Sequence, residues 1–113
     1  MIHIYGIKNC DSTKKALSFL KKNSLEFTFH DYKEEQVGCD KIESWLQKTT
    51  LKQLFNKRST TYKTLNLKEL NLDENAQKEW LCKENILIKR PVLEYKNKLL
   101  VGFKQEEYEG ELL

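Results

Sequence analysis

The chain has 113 residues and a formal charge of +3, from 20 basic and 17 acidic side chains with two neutral histidines. That length fits one domain on the usual scale of about 100–200 residues, and no apolar run approaches the roughly 18 residues a membrane helix needs. So small a charge on a mixed-sign surface gives no electrostatic case for nucleic acid or an anionic membrane as partner.

Residues 2–6, Ile-His-Ile-Tyr-Gly, alternate and are β-branched or aromatic, which predicts a strand. Residues 11–23 predict a helix with Ala16, Leu17 and Leu20 on one face and Lys14, Lys15, Lys21 and Lys22 toward water. Asp11, Ser12 and Thr13 supply oxygens for its start, with Asp11 the expected cap, and Asn23-Ser24 end it. Residues 25–32 alternate again, completing a strand–helix–strand unit of about 30 residues. From 40 to 81 the period is helical: Ile42, Trp45 and Leu46 mark one helix, Leu51, Leu54 and Phe55 a short second, and 73–83 a third. Residues 56–63, Asn-Lys-Arg-Ser-Thr-Thr-Tyr-Lys, read as a loop. Val92 to Tyr95, a turn at 96–98 and Leu99 to Phe103 read as a hairpin, and 105–113 as a terminal helix. The expectation is a single α/β domain over 1–113 with one mixed sheet, in the order β-α-β, helical insertion at about 40–84, β-β-α.

Three cysteines are an odd number, which disfavours a disulfide framework. The start, Met1-Ile-His-Ile-Tyr, lacks a basic segment followed by an apolar one, so the expected compartment is cytoplasmic, where thiols stay reduced. Cys10 follows a strand at the edge of a helix N-terminus, where backbone N–H groups and the helix dipole favour a thiolate. Lys8, Lys14 and Lys15 add positive potential. The competing reading is an inert thiol filling the strand–helix junction. Thr13 occupies the place of the second cysteine of a Cys-x-x-Cys motif, so any redox cycle takes its second thiol from elsewhere. Cys39, in an expected loop after Gly38, and Cys82, near a helix end, are the internal candidates; otherwise they are structural thiols.

Of the 20 basic residues only Arg58 and Arg90 are arginine. Arginine offers a planar fork for a carboxylate or oxyanion and keeps its charge when partly buried. Both lie in loop-like segments, where a structural ion pair is the alternative. Pro91, the sole proline, precedes a strand and follows Arg90, and an X-Pro bond is where a cis peptide can occur. His3 and His30 sit on expected strands without the cysteine spacing of a metal site; Trp45 and Trp80 read as core.

Three segments in register resemble the arsenate reductase-like family of the thioredoxin superfamily, which also contains the Spx transcription regulators. They are Tyr5-Gly-Ile-Lys-Asn-Cys10-Asp, Asn56-Lys-Arg-Ser-Thr-Thr-Tyr62, and Ile86-Leu-Ile-Lys-Arg90-Pro91-Val-Leu-Glu followed by Leu100-Val-Gly-Phe103. Within the family the chain is most similar to the small YffB-type proteins, regarded as glutathione-dependent thiol reductases. The resemblance implies a thioredoxin-like fold with a helical insertion and a four-stranded mixed sheet. It implies that Cys10 is the redox-active cysteine, that Pro91 is a cis-proline facing it, and that Arg90 belongs to an anion site. Lys8, Asn9 and Arg58 complete the expected anion- or glutathione-binding set. No bound cofactor and no metal are expected, and glutathione would be the co-substrate. Two of the three arginine places of the arsenate reductases fall here on Asn56 and Gly102. The other readings are arsenate reduction with the same nucleophile, and an Spx-like regulator binding RNA polymerase.

Overall fold

The computed structural model describes all residues from Met1 to Leu113. They form two compact units: residues 1–35 together with 90–113, and residues 36–89. The second unit is wider than the expected insertion at about 40–84.

The first unit holds one four-stranded sheet. Strands β1 (Ile2–Gly6), β2 (Phe27–Asp31), β3 (Val92–Tyr95) and β4 (Lys98–Val101) lie in the order β2-β1-β3-β4. β1 runs parallel to β2 and antiparallel to β3, and β3 antiparallel to β4. With helices on it, this is the four-stranded mixed α/β sheet that the sequence led us to expect. The parallel pair needs a crossover, and helix α1 (Asp11–Lys22) supplies it. Thr13, Ala16 and Leu20 fall at i, i+3 and i+7 and are fully buried, so one stripe of α1 faces the sheet. Ile2 and Ile4, alternating on β1, meet that stripe, together with Phe19, Leu93, Leu100, Tyr108 and Leu112. The last two come from helix α6 (Gln105–Leu112). Tyr108 is wedged edge-on against Phe19 and Phe103 at centroid distances of 5.6 and 4.7 Å. Its hydroxyl donates to Gly102 O at 3.3 Å, so this buried ring keeps its polar end paired.

The hairpin turn is shorter than expected. Tyr95 pairs with Lys98, which belongs to β4, and Lys96 adopts φ 54° to close the turn with Asn97. Phe103 falls outside the strand because Gly102 leaves it at φ 80°, a left-handed conformation that glycine adopts without Cβ strain.

The second unit is helical. Helices α2 (Cys39–Leu46), α3 (Leu51–Leu54) and α5 (Glu74–Lys83) pack together, α5 against both others. Ile42, Trp45, Leu54 and Leu81 are fully buried there. Two expectations are corrected. The polar 56–63 segment is not all loop: Ser59 accepts a hydrogen bond from Tyr62 N–H and starts helix α4 (Thr60–Thr64). Cys39 is not in a loop but is the first residue of α2, after Gly38. Short 3-10 turns cover Leu67–Leu70 and Asn85–Leu87. Asn85, nearly buried, donates to Leu81 O at 3.0 Å and accepts from Val37 N–H at 2.7 Å. It thereby joins the end of α5 to the entry of the unit. No helix is long and apolar enough to cross a membrane.

Candidate functional site: the Cys10 thiol

Cys10 is the N-cap of α1. Its φ of −98° and ψ of 125° are extended, its N–H donates to Ile7 O at 3.3 Å, and its carbonyl accepts the first helical bond from Lys14 N–H at 2.9 Å. Asp11 is therefore inside the helix, and the expected carboxylate cap is absent, since no side-chain oxygen bonds the first turn. The sulfur stands where a serine or aspartate oxygen ordinarily caps.

Partial burial works to raise the Cys10 thiol, but it is outweighed. The Thr13 N–H and hydroxyl, the Arg90 charge and the Ser12 N–H all favour the anion, and the net shift is downward from the ordinary thiol value. Thr13 is fully buried, and its hydroxyl makes no regular hydrogen bond elsewhere. The sulfur anion is left as its acceptor.

Thr13 fits there because of Gly6. A Cβ at Gly6 would stand 2.7 Å from Thr13 Oγ1 and 3.2 Å from its Cγ2. The strand backbone and the first turn of α1 thus approach more closely than any residue with a side chain permits.

Arg90 and Pro91 enter from the strand β3 side. The Arg90–Pro91 peptide bond is cis. Pro91 O accepts Gly102 N–H at 2.7 Å, which ties this bend to the end of β4. Arg90 is half-buried, its Nε has no hydrogen-bond partner, and its charge acts on both Cys10 and Tyr32. Tyr32, buried just past β2, donates its N–H to Gly6 O at 2.9 Å. Burial, followed by the neighbouring Tyr5, raises its phenol well above the ordinary range against the opposing pull of Arg90, so it remains a neutral O–H group. That O–H also lacks a partner. Tyr5 is likewise held protonated, by burial and by Glu94, to which it donates at 3.1 Å. Tyr5 stacks on His30 at 4.5 Å, and His30 Nε2 lies 3.0 Å from His3 Nδ1. No group of three metal-ligating side chains occurs.

Cys10, Arg90 and Pro91 thus belong to one unit, with Thr13, Gly6 and Tyr32 as members that sequence reasoning did not single out. Thr13 had registered as an oxygen for the helix start and as a missing cysteine, not as a partner of the sulfur. Lys8 is exposed and pairs with Glu34 at 3.5 Å, and Asn9 is exposed in the same turn. Arg58 lies in the helical unit, exposed, its N–H bonded to Asn56 Oδ1 at 3.1 Å. A surface groove of about 770 Å³ runs along α1 from Ser12 to Asn23 and is not lined by Cys10.

Two readings were open for the remaining cysteines, a resolving thiol or structural thiols, and the structure holds the two as a bonded pair rather than as free thiols. Cys39 and Cys82 form a disulfide with a Cα–Cα distance of 5.1 Å, so neither is a free thiol and Cys10 is the one that is. An odd count had disfavoured a disulfide, yet three cysteines accommodate one pair and one free thiol.

The chain can now be set beside known proteins. An ArsC family profile matches residues 5–110. A Haemophilus influenzae protein of unassigned function is 37% identical over 111 residues, covering 97% of each chain. The global transcriptional regulator Spx 2 of Bacillus anthracis is 25% identical over 109 residues, 95% of this chain and 83% of its own. Among solved structures, a YffB protein superposes with a TM-score of 0.92 at 33% identity, covering all of both chains. The profile spans nearly the whole sequence and the relatives match end to end, so the chain belongs to the ArsC family.

Proposed function

We propose that this chain is a thiol-disulfide oxidoreductase that works through the single nucleophile Cys10, with glutathione or a protein thiol resolving the mixed disulfide. The observation that carries the reading is a lone free thiol at a helix N-cap whose anion is favoured by Thr13 and Arg90. A thiolate, not a thiol, attacks sulfur. The Cys10 thiolate would attack one sulfur of a substrate disulfide, expelling the other as a thiolate that takes up a proton. A glutathione thiolate would then attack the substrate sulfur, releasing the Cys10 thiolate directly, or attack Cys10 and expel the substrate thiolate, after which a second glutathione thiolate attacks the glutathione sulfur of that adduct and releases Cys10. Arg90, whose charge acts on Cys10 and whose Nε has no partner, is the donor suited to a carboxylate or oxyanion beside the sulfur.

Arsenate is the weaker substrate reading. The places that would carry two further arginines hold Asn56 and Gly102, and Gly102 is held at φ 80°. The resemblance to Spx 2 keeps a polymerase-binding role as a distinct outcome.

The test is glutathione-coupled reduction of a small mixed disulfide by the wild type, Cys10→Ser and Arg90→Ala, each also assayed with arsenate. Turnover that vanishes in Cys10→Ser and falls in Arg90→Ala, with no arsenate-dependent glutathione oxidation, is expected. Absence of disulfide turnover in the wild type, with recovery of RNA polymerase in a pull-down unaffected by Cys10→Ser, would overturn the proposal.

A further inference from the structure

The helical unit holds a second sulfur pair. Cys39 opens α2 and Cys82 lies near the C-terminus of α5, and their bond spans 43 residues of sequence. The two sulfurs are not equivalent. Cys39 is exposed, whereas Cys82 is half-buried between Leu81, which is fully buried, and Lys83. Both line a surface groove of about 590 Å³ whose wall includes Lys78, Glu79 and Lys83. Lys78 pairs with Glu43, and Lys83 lies 5.0 Å from the centroid of the Trp80 ring. The bond is therefore on the surface, beside room for a molecule of glutathione size.

We infer that Cys39–Cys82 is a second thiol–disulfide exchange site, open to low-molecular-weight thiols in the folded protein, with Cys39 as the sulfur attacked. It is separate in sequence and in unit from the Cys10 reaction and does not rest on that reading. Attack on a disulfide sulfur is in line with the bond being broken, so approach from solvent selects the exposed atom. Cys39 also sits at the first residue of an eight-residue helix, where N–H groups favour its release as a thiolate in the second step of the exchange.

The step balances as follows. A small thiolate bonds to Cys39 Sγ as the Cys39–Cys82 bond breaks, and Cys82 leaves as a thiolate that takes a proton from water. A second thiolate attacks the small-molecule sulfur of that mixed disulfide and releases Cys39 as a thiolate. Two small thiols are oxidised to one disulfide, and the protein disulfide is reduced to two thiols.

The experiment uses the full chain, wild type and Cys10→Ser, folded and without denaturant. Each is incubated with reduced glutathione, quenched in acid, alkylated and read by peptide mass spectrometry. The expected result is a glutathione adduct on Cys39 in both proteins, in at least tenfold excess over any on Cys82. In the single variants, Cys82→Ala and Cys39→Ala, oxidised glutathione should modify the remaining cysteine rapidly at 39 and slowly at 82. A bond that opens only after denaturant, adducts shared evenly between the two sulfurs, or loss of the reaction in Cys10→Ser would each overturn the inference. Failure of disulfide turnover at Cys10 would leave these readouts unchanged, so the two proposals fail separately.

Discussion

At Cys10 a sulfur does the work that an oxygen ordinarily does at a helix start. A capping serine or aspartate satisfies the first-turn N–H groups and is then inert. A cysteine in the same place gives those N–H groups something to hold only when it is ionised. The cap and the free thiol are therefore one atom. Thr13→Val keeps the shape and removes the hydroxyl, so the pH midpoint of Cys10 alkylation should rise and the rate at neutral pH should fall about tenfold. Iodoacetamide kinetics across pH measures both. The sign for stability follows from the lowered thiol. Cys10 ionisation stabilises the fold fully above the ordinary thiol range of about 8.5, and that contribution is lost as pH falls through the lowered folded value. The difference in urea midpoint between wild type and Cys10→Ser should widen with rising pH across that window.

Gly6 is the other residue on which the site turns. Gly6→Ala would push Cβ to 2.7 Å from Thr13 Oγ1. Because Thr13 is fully buried it has nowhere cheap to move. The expected cost is about 1–3 kcal/mol by chemical unfolding, with a rise in the alkylation midpoint as Thr13 is displaced. The position of Cys10 was legible in the sequence, since a strand followed by a polar helix start defines it. Thr13, Gly6 and Tyr32 were not. Their roles come from a close approach across the strand–helix corner, which leaves no trace in periodicity.

At the scale of elements, segments with apolar periodicity read correctly, the short α3 with Leu51 and Leu54 included, and the polar one did not. α1 was recognisable from its apolar stripe and its lysines, while α4 was hidden because none of its residues is buried. A five-residue helix held by a Ser59 cap carries no period for a sequence to display. Sequence likewise carried no sign that Cys39 and Cys82 pair, because α2 and α5 are brought side by side only by packing around residues such as Ile42 and Leu81. A bond closing 43 residues restricts the unfolded chain. Its reduction should lower stability by about 3–4 kcal/mol on the chain-entropy scale, read from unfolding curves with and without reductant. Asn85 is the uncharged counterpart of that clamp. Asn85→Ala leaves Val37 N–H and Leu81 O without their partner and should cost about 1–3 kcal/mol, checked by the same unfolding curves.

Across the whole molecule, the two arginines have different fates. Arg90 stands in the sheet unit beside the thiol it influences, and Arg58 stands exposed in the helical unit. Sequence position alone treated them as equals. The fold order β-α-β, helical segment, β-β-α was readable because each strand pair is bounded by turn residues and each crossover by a helix of the right length. The division of the chain was less so, since the helical unit extends from 36 to 89.

The sheet unit is made of two stretches of chain, 1–35 and 90–113, and β1 pairs with β3 through partners such as Ile4 and Leu93. A ribosome delivers these in order, and domains generally fold as units from the N-terminal end during synthesis. Cys10 therefore emerges long before Arg90, β3 and α6, and waits with its core incomplete. A nascent chain stalled before residue 90 should alkylate like an ordinary thiol, with a midpoint near about 8.5. Stalled chains in which residues 1–113 are followed by a linker long enough to clear the exit tunnel should show the lowered value. Thiolate character at Cys10 thus becomes a timer of synthesis: the Thr13 and Ser12 groups are made with it, but the Arg90 charge and the rest of the sheet unit arrive only with residues 90–113.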